Sequence, residues 1–301
     1  VGRLWVTGDV GLRPWTAVPG LAATAQFWTE PGDFRTFLPR RRVTSHKGDF
    51  GHVVVIAGSR GYHGAAVLAA RGALRARPGR VTVLTPPDVY PQVASQLAAA
   101  MVAPWSGDSP LPAGPSALLA GPGLAAADLP DSLRREVVRC WQEAPCPMVA
   151  DASALDWLPP RNGAAPALRV ITPHPGEAGR LLGMGATEVQ QDRVGVVRRL
   201  SRRFGDCLVV LKGHQSLVGG AEGPLHVNSS GNPGLAQGGS GDVLGGYLAG
   251  LLGQPALQEI PSLTVRYGVW EHGATADILE GERGNWTSED LAEALGDARW
   301  D

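Results

Sequence analysis

From about residue 50 the chain alternates short β-branched runs with Ala/Leu-rich stretches of helical period, a pattern that predicts βαβ units around a mostly parallel sheet. HVVVIAG (52–58) is apolar without alternation, as expected of a strand buried on both faces. GAAVLAARGALRA (64–76) then reads as a helix whose small residues suit close packing on that sheet. RVTVLT (80–85) and SALLAGPG (116–123) supply further strands, the second ending in a glycine turn. In DSLRREVVRCWQEA (131–144), Leu133, Val137, Val138 and Trp141 fall at helical spacing, so this segment is expected to pack as an amphipathic helix.

The second half continues the theme. PMVADASAL (147–155) reads as a strand that ends on Asp151, and LRVITPHPGEAGRLLG (168–183) as a strand, a proline-rich turn and a helix. A helical stretch near 187–204 precedes the strand CLVVLKG (207–213), and SLVGGAEGPLHVN (216–228) has two short apolar segments around a Gly/Glu/Gly turn, the pattern of a hairpin. Two helices are expected near 262–280 and 288–296, with Thr287 and Asp290 spaced for a capping box on the second. Residues 1–25 are rich in Gly, Pro and Ala without a sustained period, and are expected to be an arm ahead of a domain spanning 26–301.

Composition narrows the function classes. The 301 residues are 44% hydrophobic with a net charge of −1, which gives no electrostatic footprint for nucleic acid or an anionic membrane. Any anionic ligand must be held locally. No apolar run reaches the roughly 20 residues that span a bilayer. Three cysteines, Cys140, Cys146 and Cys207, lack metal-ligand spacing and fit a reducing compartment, so a cytoplasmic address is expected and no metal site is assigned to protein side chains.

The chemistry concentrates in GNPGLAQGGSGDVLGG (231–246), where glycines crowd ahead of an apolar helix. Glycine loses more conformational freedom on folding than any other residue, so the cluster implies use of the backbone itself. Gly238, Gly239 and Gly241 are expected to take positive φ, so that successive N–H groups converge on an anion at the positive end of the helix. Asp242 falls in the first turn. An acid there is often only a dipole partner, but one held beside an anion hole is also placed to deprotonate a nucleophile approaching a phosphate. Neither a Walker A loop nor an early GxGxxG is present, which disfavours a P-loop enzyme or a dinucleotide dehydrogenase.

With these motifs in order, FWTE (27–30), SHKGDFGHVVVIAGSRGYHGAAVLAARGALRA (45–76), AGPG (120–123), ITPHPGE (171–177), LKG (211–213) and GNPGLAQGGSGDVLGG, the chain resembles the ribokinase superfamily. Within it the chain is similar to the ADP/ATP-dependent NAD(P)H-hydrate dehydratases. The resemblance implies a ribokinase-like α/β fold, a mostly parallel central sheet with helices on both faces. It also implies dehydration of the S-epimer of hydrated NADH or NADPH through a phosphorylated intermediate, with ADP or ATP as donor and Mg2+ as its companion. Homotetramers are the implied assembly. The arm of residues 1–25, in which VTGDVGL (6–12) looks like a last strand, would then be the end of the epimerase domain that precedes such enzymes in bifunctional chains.

The resemblance makes Asp242 the catalytic base and gives the Gly238 to Gly241 amides, with Gly239 and Gly241 foremost, the charge on the transferring phosphoryl group. It places Lys212, Gly213, His214, Gln215 and Ser216 along the adenine nucleotide, with Gly241 at its phosphate. Ala66, Gly123, His174 and Asp242 would meet the hydrated cofactor. Simpler readings stand beside these: a solvated lysine at a strand end for Lys212, a backbone-satisfying turn for His174, a helix cap or water-mediated magnesium contact for Glu177, and turn chemistry for Asn228 and Asn232. Lys47 and Asp49 either order a loop over the site or form a solvated pair. Arg60, in the Gly-rich turn AGSRGYHG (57–64), is a candidate partner for the cofactor's diphosphate.

Two departures from the family pattern are visible. DASALD (151–156) replaces the family's second acid with Ser153 and its amide with Asp156, leaving Asp151 available. RPGR (77–80) is bulkier than the usual small segment and is expected to change how the substrate's second half is held. Two other functions use much of the same sequence: a sugar or vitamin kinase of the same superfamily that stops after phosphorylation, and a nucleotide-binding module without chemistry.

Overall fold

The structure, a computed structural model, describes residues 26–298, so the expected arm of residues 1–25 and its strand lie outside the described residues. The strand β1 (Gln26–Trp28) is followed by β2 (His52–Ile56), α1 (His63–Arg75), β3 (Arg80–Thr85), α2 (Tyr90–Ala94), β4 (Met101–Pro104), β5 (Ala117–Ala120) and α3 (Asp131–Glu143). Then come β6 (Met148–Ala150), β7 (Arg169–Ile171), α4 (Pro175–Leu182), α5 (Ala186–Gln191), α6 (Arg193–Arg203), β8 (Leu208–Leu211), β9 (Leu217–Gly219) and β10 (Leu225–Val227). The chain closes on α7 (Ser240–Leu252), α8 (Pro261–Arg283) and α9 (Ser288–Ala294). One ten-stranded sheet runs in the order β1-β10-β9-β8-β7-β6-β5-β2-β3-β4, parallel throughout except for β9, which is antiparallel to both neighbours.

The central strands are apolar on both faces because helices cover both. Val54 and Ile56 of β2, Leu118 of β5, Met148 of β6 and Leu211 of β8 point into one layer with α3, α4 and α6. Val53 and Val55, Leu119, Val149 and Val210 point into the other, with α1, α7 and α8. This is the period-2 alternation of a pleated strand, read here as two cores rather than one. The small residues of α1 serve its neighbour helix at least as much as the sheet. A Cβ on Gly246 of α7 would overlap the Ala69 carbonyl, so glycine there lets the two backbones touch.

Elsewhere the structure adjusts expectations locally. On α3 the buried stripe is Leu133, Val137, Cys140 and Trp141, and Val138 is only half-buried. The stretch near 187–204 breaks into α5 and α6 at Asp192, whose carboxylate accepts from the Gly195 amide at 2.8 Å and starts the second helix. The strand expected to end on Asp151 stops at Ala150, and a 3-10 turn over Ala152–Trp157 follows. The three cysteines are free and buried, and burial pushes the Cys140 thiol up to about 12. Arg169 is also buried, donating to the carbonyls of Trp141, Cys146 and Ala144 and so tying β7 to the end of α3. Among the described residues no helix is long and apolar enough to cross a membrane.

Candidate active site

In a parallel sheet the following helix starts where the strands end, so α7 brings its first turn to the carboxyl ends of β5 and β6. Its N-cap is Gly239, held at φ 94°, and no side chain caps the turn. The first amides of a helix have no partner within it, so an uncapped thirteen-residue helix presents N–H groups and the positive dipole end to whatever binds there. Of the three glycines expected at positive φ, only Gly239 adopts it. Gly241 is already helical and serves instead as a close approach: a Cβ on it would lie 3.3 Å from Lys212 Nζ. Around Gly238 such an atom would meet nothing within 4 Å, which leaves that backbone open.

Asp242, at the third position of the helix, is partly exposed, and its side chain makes no hydrogen bond or ion pair among the described residues. Three charged side chains from three other elements converge on it. Asp151, just past β6, is 1% exposed and accepts from Lys212 Nζ at 2.8 Å and from the Thr172 hydroxyl at 2.7 Å. Lys212, just past β8, lies 4.0 Å from Glu177 of α4. Three carboxylates thus surround one ammonium, which pairs with Asp151 and Glu177. Burial, then repulsion from Asp151, pushes the Asp242 carboxyl up to about 7, against the pull of Lys212. Burial works against the Lys212 charge, but Asp151 and Glu177 outweigh it and the ammonium is held above its ordinary value. The solvated-lysine reading therefore fails: Lys212 is half-buried and held in an ion pair with Asp151.

His174 is the N-cap of α4. Its Nδ1 accepts from the Gly176 amide at 3.0 Å, and the Glu177 carboxylate answers by accepting from the His174 amide at 2.8 Å, a capping box closed by an imidazole. With Nδ1 accepting, Nε2 carries the hydrogen of a neutral ring whose side chain is half exposed. Glu177 is a helix cap, with its second oxygen 3.6 Å from His174 Nε2.

The segment KGHQS forms a tight loop after β8, with Gly213 at φ 126° and Gln215 at φ 54°, a left-handed conformation uncommon for a residue with a side chain. Ser216 donates to the Gly213 carbonyl at 3.2 Å, while Gly213 and His214 are exposed. A residue that carried no motif in the sequence holds this loop. Arg193, at the start of α6, donates to the carbonyls of Leu211 at 3.1 Å and Gln215 at 3.3 Å. His272 of α8 was equally invisible. Burial drives its pKa down to about 4, so the ring is neutral, and Nε2 lies 2.9 Å from the Ser240 carbonyl in the first turn of α7. Asn232 caps the short turn at Pro233–Leu235 by accepting from the Gly234 amide at 2.8 Å, and buried Asn228 donates to the Ser230 carbonyl, so turn chemistry describes both.

The strand order reverses direction between β2 and β5, and ligands of open α/β sheets bind at such a switch point. The two loops there are pinned together: Ser59 donates to the Gly123 carbonyl at 2.6 Å and accepts from the Ala125 and Ala126 amides. Gly123 sits at φ 64° at the surface of this crevice. Ala66 is wholly buried beneath it, against Gly58, so it shapes the loop from below. Arg60 stands 70% exposed between Asp88 and Asp128.

Position excludes one of the two readings of Lys47 and Asp49 and corrects the expectation for RPGR. Lys47 and Asp49 lie in a 3-10 turn before β2, where Asp49 caps the His46 amide and the following Gly51 packs on Gly253 at the far end of α7. A thirteen-residue helix is about 20 Å long, so they order no loop over Asp242. RPGR lies at the same far end, with the Gly79 amide on the Phe50 carbonyl, and cannot reach a substrate in the crevice. At 156 the family's amide is replaced by an aspartate that pairs with Arg180 at 3.2 Å on the surface.

Among the described residues no group of His, Cys, Asp and Glu side chains could hold a metal ion by itself. Lys212 already stands where a cation would sit between Asp151 and Glu177. The residues therefore do not form a magnesium cage.

The sequence profile of the family described as NAD(P)H-hydrate dehydratase matches residues 53–296. The chain is 34% identical over 277 residues to the ADP-dependent (S)-NAD(P)H-hydrate dehydratase of Bacillus subtilis, covering 89% of this chain and 92% of that protein. It is 38% identical over 256 residues to the bifunctional NAD(P)H-hydrate repair enzyme of Coxiella burnetii, covering 82% of this chain but only 50% of that protein, so it spans about half the length of such bifunctional relatives. The crystal structure of the Bacillus subtilis ADP/ATP-dependent dehydratase co-crystallised with ATP/Mg2+ superposes with a TM-score of 0.80 at 31% identity, over 92% of this chain and 98% of that one. A ribokinase-like superfamily protein from Enterococcus faecalis, 24% identical over 91% of this chain and 95% of its own, shares the fold with a TM-score of 0.74.

Proposed function

The chain belongs to the NAD(P)H-hydrate dehydratase family, and from that premise we propose that it dehydrates the S-epimer of hydrated NADH and NADPH at the expense of ADP or ATP. The observation that carries the reading is the uncapped start of α7 with an unpaired carboxylate in its first turn. Asp242 accepts the proton of the substrate hydroxyl as that oxygen attacks the terminal phosphoryl group of the nucleotide. Charge building on the transferring group falls to the α7 amides and, across from them, to Lys212. Phosphate then leaves as the ring nitrogen pushes electrons toward the carbon it occupied, and loss of a neighbouring ring proton restores the double bond. Phosphorylation matters because hydroxide leaves poorly at neutral pH.

In this reading the KGHQS loop follows the adenine nucleotide and the crevice of Gly123 and His174 takes the hydrated nicotinamide. A magnesium ion enters with the nucleotide phosphates, as that ion commonly does, rather than in a cage of protein ligands. The co-crystal of the Bacillus subtilis relative with ATP/Mg2+ supports a nucleotide site in this fold. Residues 26–301 carry the activity, ADP is the preferred donor, four copies assemble, and the compartment is cytoplasmic; sedimentation and donor competition test the assembly and the donor.

The experiment is recovery of reduced-nicotinamide absorbance from hydrated NADH with ADP or ATP, with a panel of sugar and vitamin alcohols in parallel. Regenerated NADH supports the dehydratase. A stable phosphorylated alcohol with no NADH would instead identify a kinase of the same fold, and nucleotide binding without turnover an inert module.

A further inference from the structure

Three carboxylates and one ammonium meet at the start of α7, yet the ammonium is not shared evenly. Lys212 Nζ lies 2.8 Å from Asp151 and makes no ion pair with Asp242, although it reaches within 3.3 Å of the place a Gly241 Cβ would occupy, one residue away. Asp151 is well placed to win that competition. It is 1% exposed, its backbone amide is fixed on the Ala120 carbonyl at 3.1 Å, and Thr172 braces the same carboxylate oxygen that takes Lys212. Its other oxygen rests against α7, where a Cβ on Gly245 would be in ordinary contact with it at 3.5 Å.

We propose that Asp151 is a positioning residue for the reaction: by holding the Lys212 ammonium at the end of β6, it keeps that cation from pairing with Asp242 and leaves Asp242 free to take a proton. The proposal rests on the reading of Asp242 as the base. The charged groups that act on Asp242 are Asp151, Lys212 and Glu177, from the ends of β6 and β8 and from α4. From α8 the same turn meets a neutral His272 through the Ser240 carbonyl, and from α1 and α9 it meets the uncharged Leu68 and Ser288. Removing the Asp151 charge therefore ends a repulsion and releases Lys212 at once, and both lower the proton affinity of Asp242. Removing the Lys212 charge does the reverse.

The test is a pair of variants with opposite expected signs. In Asp151→Asn the acidic limb of the kcat/KM profile should move down by about one pH unit or more, with the plateau falling about tenfold because the base is weaker. In Lys212→Gln the limb should move up by about one unit. Asp151→Ser replaces the amide variant if that one does not fold, circular dichroism being the check. The 13C titration of the Asp242 carboxyl in the resting protein reads the same two shifts without turnover. A wild-type protein that fails to regenerate NADH would thus remove the proposed function while the titration still judged Asp151. An unmoved Asp242 titration in the Asp151 variants, or a shift of the same sign in the Asp151 and Lys212 variants, would overturn the proposal.

Discussion

The imidazole of His174 and the carboxylate of Glu177 close one turn of α4 from opposite sides, Nδ1 accepting from the Gly176 amide at 3.0 Å and Glu177 accepting from the His174 amide at 2.8 Å. A cap and a substrate contact can therefore reside in the same ring, the first on Nδ1 and the second on the Nε2–H. Two substitutions separate them. His174→Ala should lose about 1 kcal/mol of stability and also raise KM for the hydrate about tenfold. His174→Asn restores an N-cap acceptor, so it should recover the melting temperature and keep the raised KM. Recovery of both in the asparagine variant would mean that capping is the whole role of the residue.

The two halves of this turn were unequally legible in the sequence. Pro-His-Pro at a strand end announces a fixed turn, and central strands such as 52–56 announce themselves through unbroken aliphatic runs because both of their faces are covered. The short elements β1, α2 and β4 bury too little to leave a pattern, and they escaped. Arg169, Arg193 and His272 escaped for another reason: each acts on backbone carbonyls of a segment distant in sequence, and a carbonyl has no signature in the sequence. The placement of Lys47 and RPGR away from Asp242 was legible too. Both precede strands, and ligands of such sheets bind beyond the carboxyl ends, where AGSRGYHG, AGPG and TPHPGE all lie.

Asp242 should set the acidic limb of kcat/KM. Its carboxyl titrates at about 7, so activity is expected to rise through neutrality and level off near pH 8. Asp242→Asn should retain nucleotide affinity and lose turnover by roughly 10²–10⁴-fold. Stability should move the other way. The folded carboxyl holds its proton up to about 7, whereas the unfolded one releases it near 3.8, so the stability it lends is full at low pH and lost as pH rises toward 7 and beyond. The asparagine variant avoids that loss and is expected to melt a few degrees higher than wild type at pH 8, with little difference at pH 4. Equal melting at both values would contradict the raised carboxyl.

Gly239 and Gly246 stand on the same helix for different reasons, and alanine distinguishes them. At Gly239, φ 94° charges a side chain about 1–2 kcal/mol of backbone strain, and the added Cβ would press on the movable end of Leu68. Gly239→Ala should therefore fold, with a raised KM for the nucleotide as the amides of the turn shift. At Gly246 the obstacle is the backbone of α1, which cannot step aside. Gly246→Ala should lose about 3 kcal/mol or more in denaturant unfolding. Unchanged nucleotide kinetics in the first variant would argue that the anion is held elsewhere.

Arg193 offers the cleanest separation of nucleotide binding from chemistry, since it touches the KGHQS loop but not Asp242. Its guanidinium bridges the Leu211 and Gln215 carbonyls, and Gln215 is the residue forced to φ 54°. Such a conformation is costly and persists only where the surroundings hold it. Burial lowers the Arg193 pKa, yet a guanidinium remains charged at any working pH, so the clamp is independent of pH. Arg193→Met should preserve the apolar stem but release both carbonyls, letting Gln215 relax and the loop lose its shape. The expected result is a KM for ADP raised about tenfold with kcat within about twofold of wild type and an unshifted pH profile. Both carbonyls accept from the same nitrogen, Nη2, while Nη1 is anchored on Gln190, so an ammonium can supply the bonds but not that second anchor, and Arg193→Lys should rescue only in part. A fall in kcat with KM unchanged would show that the loop acts on the phosphoryl transfer itself and not on nucleotide binding.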